Sequence, residues 1–355
     1  MQTSTLTTSA KRTYNGIDLM KFLAAFLVIS IHTRPFYDIH PVLGFLFENI
    51  ITRVAVPFFF ISSGFLFFTK VLETSSVSEQ RKLLVGFLKR ILVLYLLWTL
   101  IYLPYDLYFI YKKKHDLVAT LLTYLQRLLL WGSHFHLWYL LSLMYCTVIV
   151  YFFVEIKRFR TLLAVGILLY LTGLLGDTYH GLLNPDTLLG KMYAFYNYYF
   201  DTTRNLIFFG SIFLALGAMI AWYRPAFNRT QLVLYIILFG LLYLAEALLI
   251  QHHDLALEYN MYLFLVPLVT FLFLWFRKLY FAFLTPYVGW LRTLSLGMYC
   301  SHGIFMTVVF YVFDKLGMSV DQYSTLFFIG VTLLSLCLSW LMAHSKNKWI
   351  QRLIS

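Results

Sequence analysis

The sequence contains few charged residues. Asp, Glu, Lys and Arg make up 12% of its 355 residues, whereas 61% are hydrophobic, and the charged share is about half of that found in soluble domains. The mean hydropathy is +0.75. A soluble fold of this length has more surface than so few charges can cover, so we expect much of the surface to face lipid.

Cysteine is also scarce. The three cysteines, Cys146, Cys300 and Cys337, all lie in apolar runs, so they predict neither a disulfide framework nor a zinc site, and no metal is expected. Aromatic residues are abundant instead, at 20% of the chain with 27 Tyr and 8 Trp. Such an excess is typical of rings placed at the headgroup level of a bilayer.

Long apolar runs dominate the chain. Runs of roughly 20 residues are long enough to cross a bilayer, and they fall near 15–34, 45–68, 85–104, 137–154, 161–176, 205–222, 231–251, 258–276, 293–313 and 323–343. The sequence therefore predicts an all-α polytopic membrane protein, a bundle of about ten transmembrane helices. We predict one transmembrane domain at 15–345, a disordered cytoplasmic tail at 1–14 and a second cytoplasmic tail at 346–355.

The formal net charge of +12 has two explanations. One is a nucleic-acid footprint, and the other is membrane topology. With a cytoplasmic N-terminus, the inner segments carry more than twice as many Lys and Arg residues as the outer segments. This asymmetry places both termini in the cytoplasm by the positive-inside rule, and no nucleic-acid partner is predicted.

Ionisable residues inside the predicted spans are functional candidates, because burying them in lipid is costly. Lys21 and His32 in the first span are eleven residues apart, so they share a helix face about 16 Å apart along the axis. Asp18 is placed for an i,i+3 ion pair with Lys21. Alternatives remain open for each: Asp18 and Lys21 as an interfacial pair, His32 as a helix-packing hydrogen-bond donor, and Arg53 in the second span as a partner of Glu48.

Five segments resemble the membrane-bound acyltransferase-3 family, in the same order along nearly the whole chain. They are residues 15–32, residues 53–65 with Pro-Phe-Phe-Phe and Ser-Gly-Phe, residues 136–140 with His-x-Trp-Tyr-Leu, residues 204–217 and residues 295–302. Within that family the chain is most similar to the membrane half of serine racemases of glycopeptide resistance.

The resemblance implies a bacterial plasma-membrane enzyme that takes an acyl group, usually acetyl, from cytoplasmic acyl-CoA. It passes the group to a hydroxyl of a cell-surface glycan or similar acceptor at the outer face. In the catalytic pair, neutral His32 is the general base for the hydroxyl, and Arg53 stabilises charge on the thioester oxygen. Lys21, Lys89 and Arg90 are the predicted cations for the phosphates of the donor, acetyl-CoA.

Five further residues are predicted to bind substrate: His136, Trp138, Tyr139, Arg204 and Tyr299. For His136 and Trp138 the alternative is an anchoring role at the membrane interface, and for Tyr299 it is helix packing.

Two positions depart from the family pattern. Lys21 stands where the family usually has Arg, which removes a bidentate donor. Val93 stands where a second Arg is usual after Arg90, which weakens the prediction of coenzyme A binding.

Two outer segments are long. Residues 105–135 carry leucines at helical spacing, which predicts a helix lying in the membrane interface. Residues 177–204 include a tyrosine-rich stretch that is consistent either with a headgroup belt or with the mouth of a site.

A transporter of a small amino acid or sugar is the alternative function. Helices around a central polar path, without a soluble catalytic domain, also describe such a carrier. A scaffold is less well supported, because it leaves the cost of burying the ionisable residues unexplained.

Overall fold

The computed structural model describes residues 14–200, 202–204 and 207–354, and this part of the chain is helical without β-strands. The predicted N-terminal tail lies outside the described residues except for Tyr14. The α-helices are α1 Asn15–Thr33, α2 Pro41–Leu46, α3 Ala55–Glu73, α4 Val77–Lys114, α5 Leu117–Gln126, α6 Trp138–Glu155, α7 Phe159–Leu175, α8 Leu188–Tyr199, α9 Gly210–Tyr223, α10 Arg229–His252, α11 Leu265–Lys278, α12 Val288–Lys315, α13 Ser324–His344 and α14 Lys348–Arg352.

Seven helical segments of the described chain are long and apolar enough to cross a membrane. They are Asn15–Thr33, Pro41–Glu73, Val77–Lys114, Trp138–Glu155, Arg229–His252, Ala282–Lys315 and Ser324–His344. The other three predicted spans correspond to the shorter helices α7, α9 and α11. A multi-pass helical membrane protein is therefore confirmed, whereas the number of ten spans stays a prediction.

The outward-facing surface of the bundle is apolar. Leucines on three different helices are mostly exposed, with Leu100 at 65%, Leu168 at 66% and Leu333 at 60%. Polar side chains such as Ser62 and His302 are instead fully buried between helices. This inversion of the soluble pattern follows from lipid being the solvent, since a polar group facing lipid would lack hydrogen-bond partners.

The second predicted span is not one regular helix. Between α2 and α3 the chain forms a π-helical turn at Phe47–Ile51 and a 3-10 turn at Thr52–Val54. Pro57 has no N–H to donate to the carbonyl of Arg53, four residues earlier, so a regular α-helix is weakened at this point. Irregular turns of this kind re-aim side chains and are frequent at functional sites.

The segment after the third predicted span differs from the prediction. That span was expected to end at residue 104, but α4 continues past Pro104 to Lys114. The predicted amphipathic helix is present as α5, and Leu117, Leu121 and Leu125 on it are each at least half exposed. Its position in the membrane interface stays a prediction.

The segment predicted as a C-terminal tail packs back onto the bundle. It contains α14, and the Trp98 indole N–H of α4 donates to the carbonyl oxygen of Leu353 at 2.9 Å. Ile354 is 93% buried, since its exposed fraction is 7%. Residues 347–354 therefore cover part of α4.

Helices α3 and α9 form the most extensive helix pair in the described chain. Glycines make this close approach possible, as in other membrane helix pairs. A Cβ atom added at Gly64 would lie 2.5 Å from the Leu214 carbonyl oxygen, and one added at Gly217 would meet the Ile61 carbonyl oxygen. Backbone blocks both positions, so a larger residue requires the two helices to separate.

We expect Gly64→Ala to destabilise the protein by about 1–3 kcal/mol, the usual cost of overpacking. The measurement is the thermal unfolding midpoint in detergent. Gly86→Ala is the matched control, because a Cβ atom at Gly86 has no neighbour within 4 Å and alanine is the better helix former. Equal midpoints for the two variants would contradict the close α3–α9 contact.

Candidate functional site

Seven of the predicted site residues line one cavity. Its cavity volume is about 30 Å³, and the open space around it brings the unfilled space to about 470 Å³. The cavity lies between the C-terminal end of α1, the turn at Thr52–Val54, the start of α6 and the middle of α12. The seven residues are His32, Arg53, His136, Trp138, Tyr139, Arg204 and Tyr299. The structure thus brings together every residue predicted for catalysis or substrate binding, while their roles stay predictions.

His32 faces the cavity with an imidazole that has no hydrogen-bond partner in the described chain. Among the described residues none forms a hydrogen bond with its ring, and the side chain is only partly buried. Phe135 packs edge-on at a centroid distance of 4.6 Å, and the His302 ring stacks at 5.4 Å. The alternative of a hydrogen-bonded packing histidine has no contact that supports it in the described chain.

Two further histidines stand behind His32, and both have one ring nitrogen engaged. The His302 Nδ1–H donates to the Tyr299 carbonyl at 2.7 Å, and the His136 Nε2–H donates to the Cys300 carbonyl at 3.2 Å. The opposite nitrogens, Nε2 of His302 and Nδ1 of His136, are buried without a partner. Both rings are therefore fixed in orientation, with a lone pair left available.

A third histidine, His134, lies beyond His136 and contacts Asp106, a residue that was not predicted as part of the site. His134 lies 5.3 Å from His136 between ring centroids, and its Nδ1 is 2.7 Å from Asp106 Oδ1. Asp106 is 5% exposed and belongs to α4, in the part that follows the end predicted for the third span. No group of three His, Cys, Asp or Glu side chains in the described ranges is arranged to hold a metal ion.

Tyr299 and Tyr139 complete the wall of the cavity. The Tyr299 hydroxyl donates to the His136 carbonyl at 2.5 Å, so the packing role proposed for Tyr299 and its place in the cavity coexist. The Tyr139 hydroxyl is 3.2 Å from Ser63 Oγ. Trp138 is 7% exposed and lines the cavity, which makes the alternative of an interfacial anchor wrong for this residue.

Arg53 is held by two amide side chains. Its two terminal nitrogens donate to Asn49 Oδ1 at 2.8 Å and to Asn260 Oδ1 at 2.7 Å, while its Nε is buried without a partner. The suggested pairing with Glu48 is wrong. Glu48 instead accepts from Arg34 at 3.3 Å and from the Tyr37 hydroxyl.

Asp177 fixes the amide that holds Arg53. Its carboxylate accepts from the Asn260 side chain and backbone at 2.9 Å each and from the Met261 N–H at 3.0 Å. Burial raises the pKa of Asp177 to about 6, although the hydrogen bonds from Asn260 and Thr178 oppose the increase. At neutral pH the group is therefore mostly ionised and keeps Asn260 in place. Neither Asp177 nor Asn260 was predicted, because Asp177 lies just beyond the fifth predicted span and Asn260, within the eighth, is not ionisable.

Arg204 approaches the cavity from the segment before α9. Its guanidinium carbon lies 4.9 Å from the centre of the Trp138 ring, over the ring face. Its Nε is buried without a partner, and its backbone N–H donates to Thr202 Oγ1 at 3.0 Å. The aromatic face thus supports a cation that is directed into the cavity.

The three residues predicted to bind the donor lie elsewhere. Lys89 and Arg90 are exposed on α4, and Lys21 lies on α1 about 16 Å before His32 along the helix axis. Arg90 is close enough to Lys21 to repel its ammonium group. Arg90 therefore lies near Lys21 in the N-terminal half of α1, and none of the three cations lines the cavity.

The predicted ion pair between Asp18 and Lys21 is wrong. Asp18 is 2% exposed and accepts two parallel hydrogen bonds from Arg292, at 2.7 and 2.8 Å. A bidentate guanidinium partner from α12 satisfies both carboxylate oxygens, which an ammonium group one turn away on the same helix does not. Ser295 of α12 donates to the Lys21 carbonyl at 3.0 Å.

The chain belongs to the acyltransferase-3 family of membrane proteins. The family model, described as an acyltransferase domain, matches residues 14–344. An amino-acid racemase from Enterococcus faecalis is 30% identical over 95% of this chain and 47% of its own length. A serine/alanine racemase from Enterococcus gallinarum is 29% identical over the same shares.

These relatives confirm the resemblance to racemases that carry this membrane domain. The chain spans about half the length of either curated relative. No solved structure matches the chain.

Proposed function

We propose that the protein is an integral membrane O-acyltransferase of the bacterial plasma membrane. It moves an acyl group, acetyl in the simplest case, from cytoplasmic acyl-CoA to a hydroxyl of an extracytoplasmic glycan or similar acceptor. The proposal includes ten spans with both termini in the cytoplasm. The observation that carries it is the meeting of an unpaired imidazole, His32, with a fixed guanidinium, Arg53, in one cavity.

The chemistry needs one base and one group that stabilises negative charge. His32 accepts the proton of the acceptor hydroxyl as its oxygen attacks the thioester carbonyl carbon. The negative charge that develops on the carbonyl oxygen is stabilised by the free Nε–H of Arg53. When the carbon–sulfur bond breaks, the coenzyme thiolate takes the proton from His32, which returns to the neutral state.

Cations at the other end of α1 suit the donor. In the proposed topology Lys21, Lys89 and Arg90 lie on the cytoplasmic side, where the phosphates and pyrophosphate of acyl-CoA arrive. The thioester end of the donor then extends along the face of α1 that Lys21 and His32 share. In this arrangement the donor and the acceptor reach the same cavity from opposite sides of the membrane.

The direct test uses purified protein in lipid vesicles with radiolabelled acetyl-CoA and a mixture of cell-envelope glycans. Acyl transfer predicts free coenzyme in proportion to labelled acceptor. Vesicles that bind the donor but release no coenzyme with any acceptor would overturn the proposal.

We expect Arg90→Ala to weaken donor binding and to reduce its dependence on ionic strength, because salt screens contacts with phosphate. Equilibrium binding of acetyl-CoA at low and high salt measures both effects. Lys82→Ala is the matched control, since Lys82 is an exposed cation on the same helix α4 and precedes Arg90 by about two turns. Equal donor affinity for wild type and Arg90→Ala at low salt would contradict this role.

Transport of a small amino acid or sugar is the alternative. It is favoured by one observation, that the relatives are named as racemases of amino acids, serine and alanine among them. Counterflow of labelled serine in vesicles without acyl-CoA would support transport. Acceptor-dependent release of coenzyme would support the enzyme.

A further inference from the structure

The cavity is lined by two arginines that form no ion pair with a described residue. Arg53 and Arg204 both line it, and no Asp or Glu is among its lining residues. None of the ion pairs within 4 Å in the described chain involves either arginine. Glu258 and Asp177 lie within electrostatic range of Arg204, but the Glu258 carboxylate accepts from Thr202 and Asn260, and the Asp177 carboxylate accepts from Asn260 and Met261.

Two enclosed cations without a paired anion are costly, because each has lost much of its hydration. A bound anion removes that cost. The two arginines differ, however, in how many donors they have left.

Arg53 is already engaged at both ends of its guanidinium. Each terminal nitrogen donates one N–H to an amide oxygen, of Asn49 or Asn260, which fixes the group in place, while its Nε–H has no partner. A fixed N–H suits a single oxygen atom, which is the requirement for a thioester carbonyl oxygen.

The N–H groups of the Arg204 guanidinium have no partner among the described residues. The Trp138 ring covers one face of its guanidinium, and none of its side-chain nitrogens forms a hydrogen bond with a described residue. Donors that remain available in the plane of a guanidinium form two parallel hydrogen bonds with a planar carboxylate.

We propose that the acceptor is a hydroxyl compound that carries a carboxylate, such as a hydroxy acid or an acidic sugar, and that Arg204 binds this carboxylate. The proposal deepens the proposed function and rests on it. It places the carboxylate over Trp138 and the acceptor hydroxyl toward His32, with the aromatic rings of Trp138, Tyr139 and Phe209 around the carbon skeleton.

The test compares three small probes that share a three-carbon skeleton: glycerate, glycerol and glycerol 3-phosphate. Their binding to the full-length protein in lipid nanodiscs is measured by calorimetry without any acyl donor. We expect glycerate to bind about ten- to hundredfold more tightly than glycerol, the gain typical of hydrogen bonds to a charged group. Glycerol 3-phosphate is expected to bind more weakly than glycerate.

Variants identify the residue responsible. We expect Arg204→Gln to lose the preference for glycerate over glycerol. Arg204→Lys should retain part of that preference, since lysine keeps the charge but lacks the two parallel N–H donors of a guanidinium. Lys315→Gln, which removes an exposed cation at the end of α12, is expected to behave as wild type.

Equal binding of glycerate and glycerol to the wild type, or no binding of either, would overturn the carboxylate proposal without any need for a variant. Tighter binding of glycerol 3-phosphate than of glycerate would overturn it in favour of a phosphate. Because no donor is present, the result does not depend on acyl transfer. Glycerate binding without coenzyme release in the vesicle assay would contradict the enzyme and leave the carboxylate site standing.

Discussion

Replacing His32 with glutamine is expected to lower the rate of acyl transfer by about a hundred- to ten-thousand-fold, the usual contribution of a general base. Glutamine keeps a hydrogen-bonding side chain of similar length but takes up no proton near neutral pH. His32 lines the cavity and has no hydrogen-bond partner among the described residues, so the substitution breaks no bond in that part of the protein. The measurement is coenzyme release at saturating donor and acceptor.

The control for this variant is His253→Gln. His253 is an exposed histidine at the end of α10, outside the cavity, and we expect near-normal transfer from it. Unfolding midpoints and donor affinity of both variants should match the wild type. If His32→Gln retained near-normal transfer, the base would have to be another residue of the cavity, with His136 the next candidate.

Some residues of the cavity could be predicted because they are ionisable and lie within membrane spans. An ionisable group within a span is stable only when it faces the bundle interior, and this rule selected His32 and Arg53. The family resemblance added His136, Trp138, Tyr139, Arg204 and Tyr299, which line the same cavity.

Other residues escaped the same rule. Asp177 lies outside the helices, where polar side chains are ordinary, so its local sequence did not signal burial. Asn260 lies within the eighth predicted span, but it is not ionisable, so the rule did not select it. Asp106 was missed because it lies beyond the end predicted for the third span, yet it belongs to α4. Pairing across helices also overrides pairing along one helix, as the bond between Asp18 and Arg292 demonstrates.

The local geometry around Arg53 was only partly foreseeable. Pro57 in the sequence signals that the helix is weakened near Arg53, because the carbonyl four residues before a proline has no amide partner. Whether the chain responds with a kink, a 3-10 turn or a π-helical turn depends on the neighbouring helices. Here both irregular turns occur, and they place Arg53 between Asn49 and Asn260.

Replacing Arg53 with lysine is expected to lower kcat by about a hundred- to a thousandfold, the cost typical of losing one donor to a developing oxyanion. Lysine keeps the positive charge, but its compact ammonium group lacks the planar fork with which two separate nitrogens of Arg53 reach Asn49 and Asn260 while Nε–H stays available. Since that interaction strengthens only as the oxygen becomes anionic, KM for the donor should change little.

The kinetic pattern distinguishes Arg53 from the other cations. Arg34→Lys is the control, because Arg34 is an exposed arginine at the end of α1 that pairs with Glu48, and such surface pairs contribute little. A charge-preserving Arg53→Lys variant with normal kcat and a raised KM for the acceptor would contradict the oxyanion role. It would instead place Arg53 with Arg204 in holding the carboxylate. A drop in kcat with both KM values preserved requires a guanidinium at this position in the transition state.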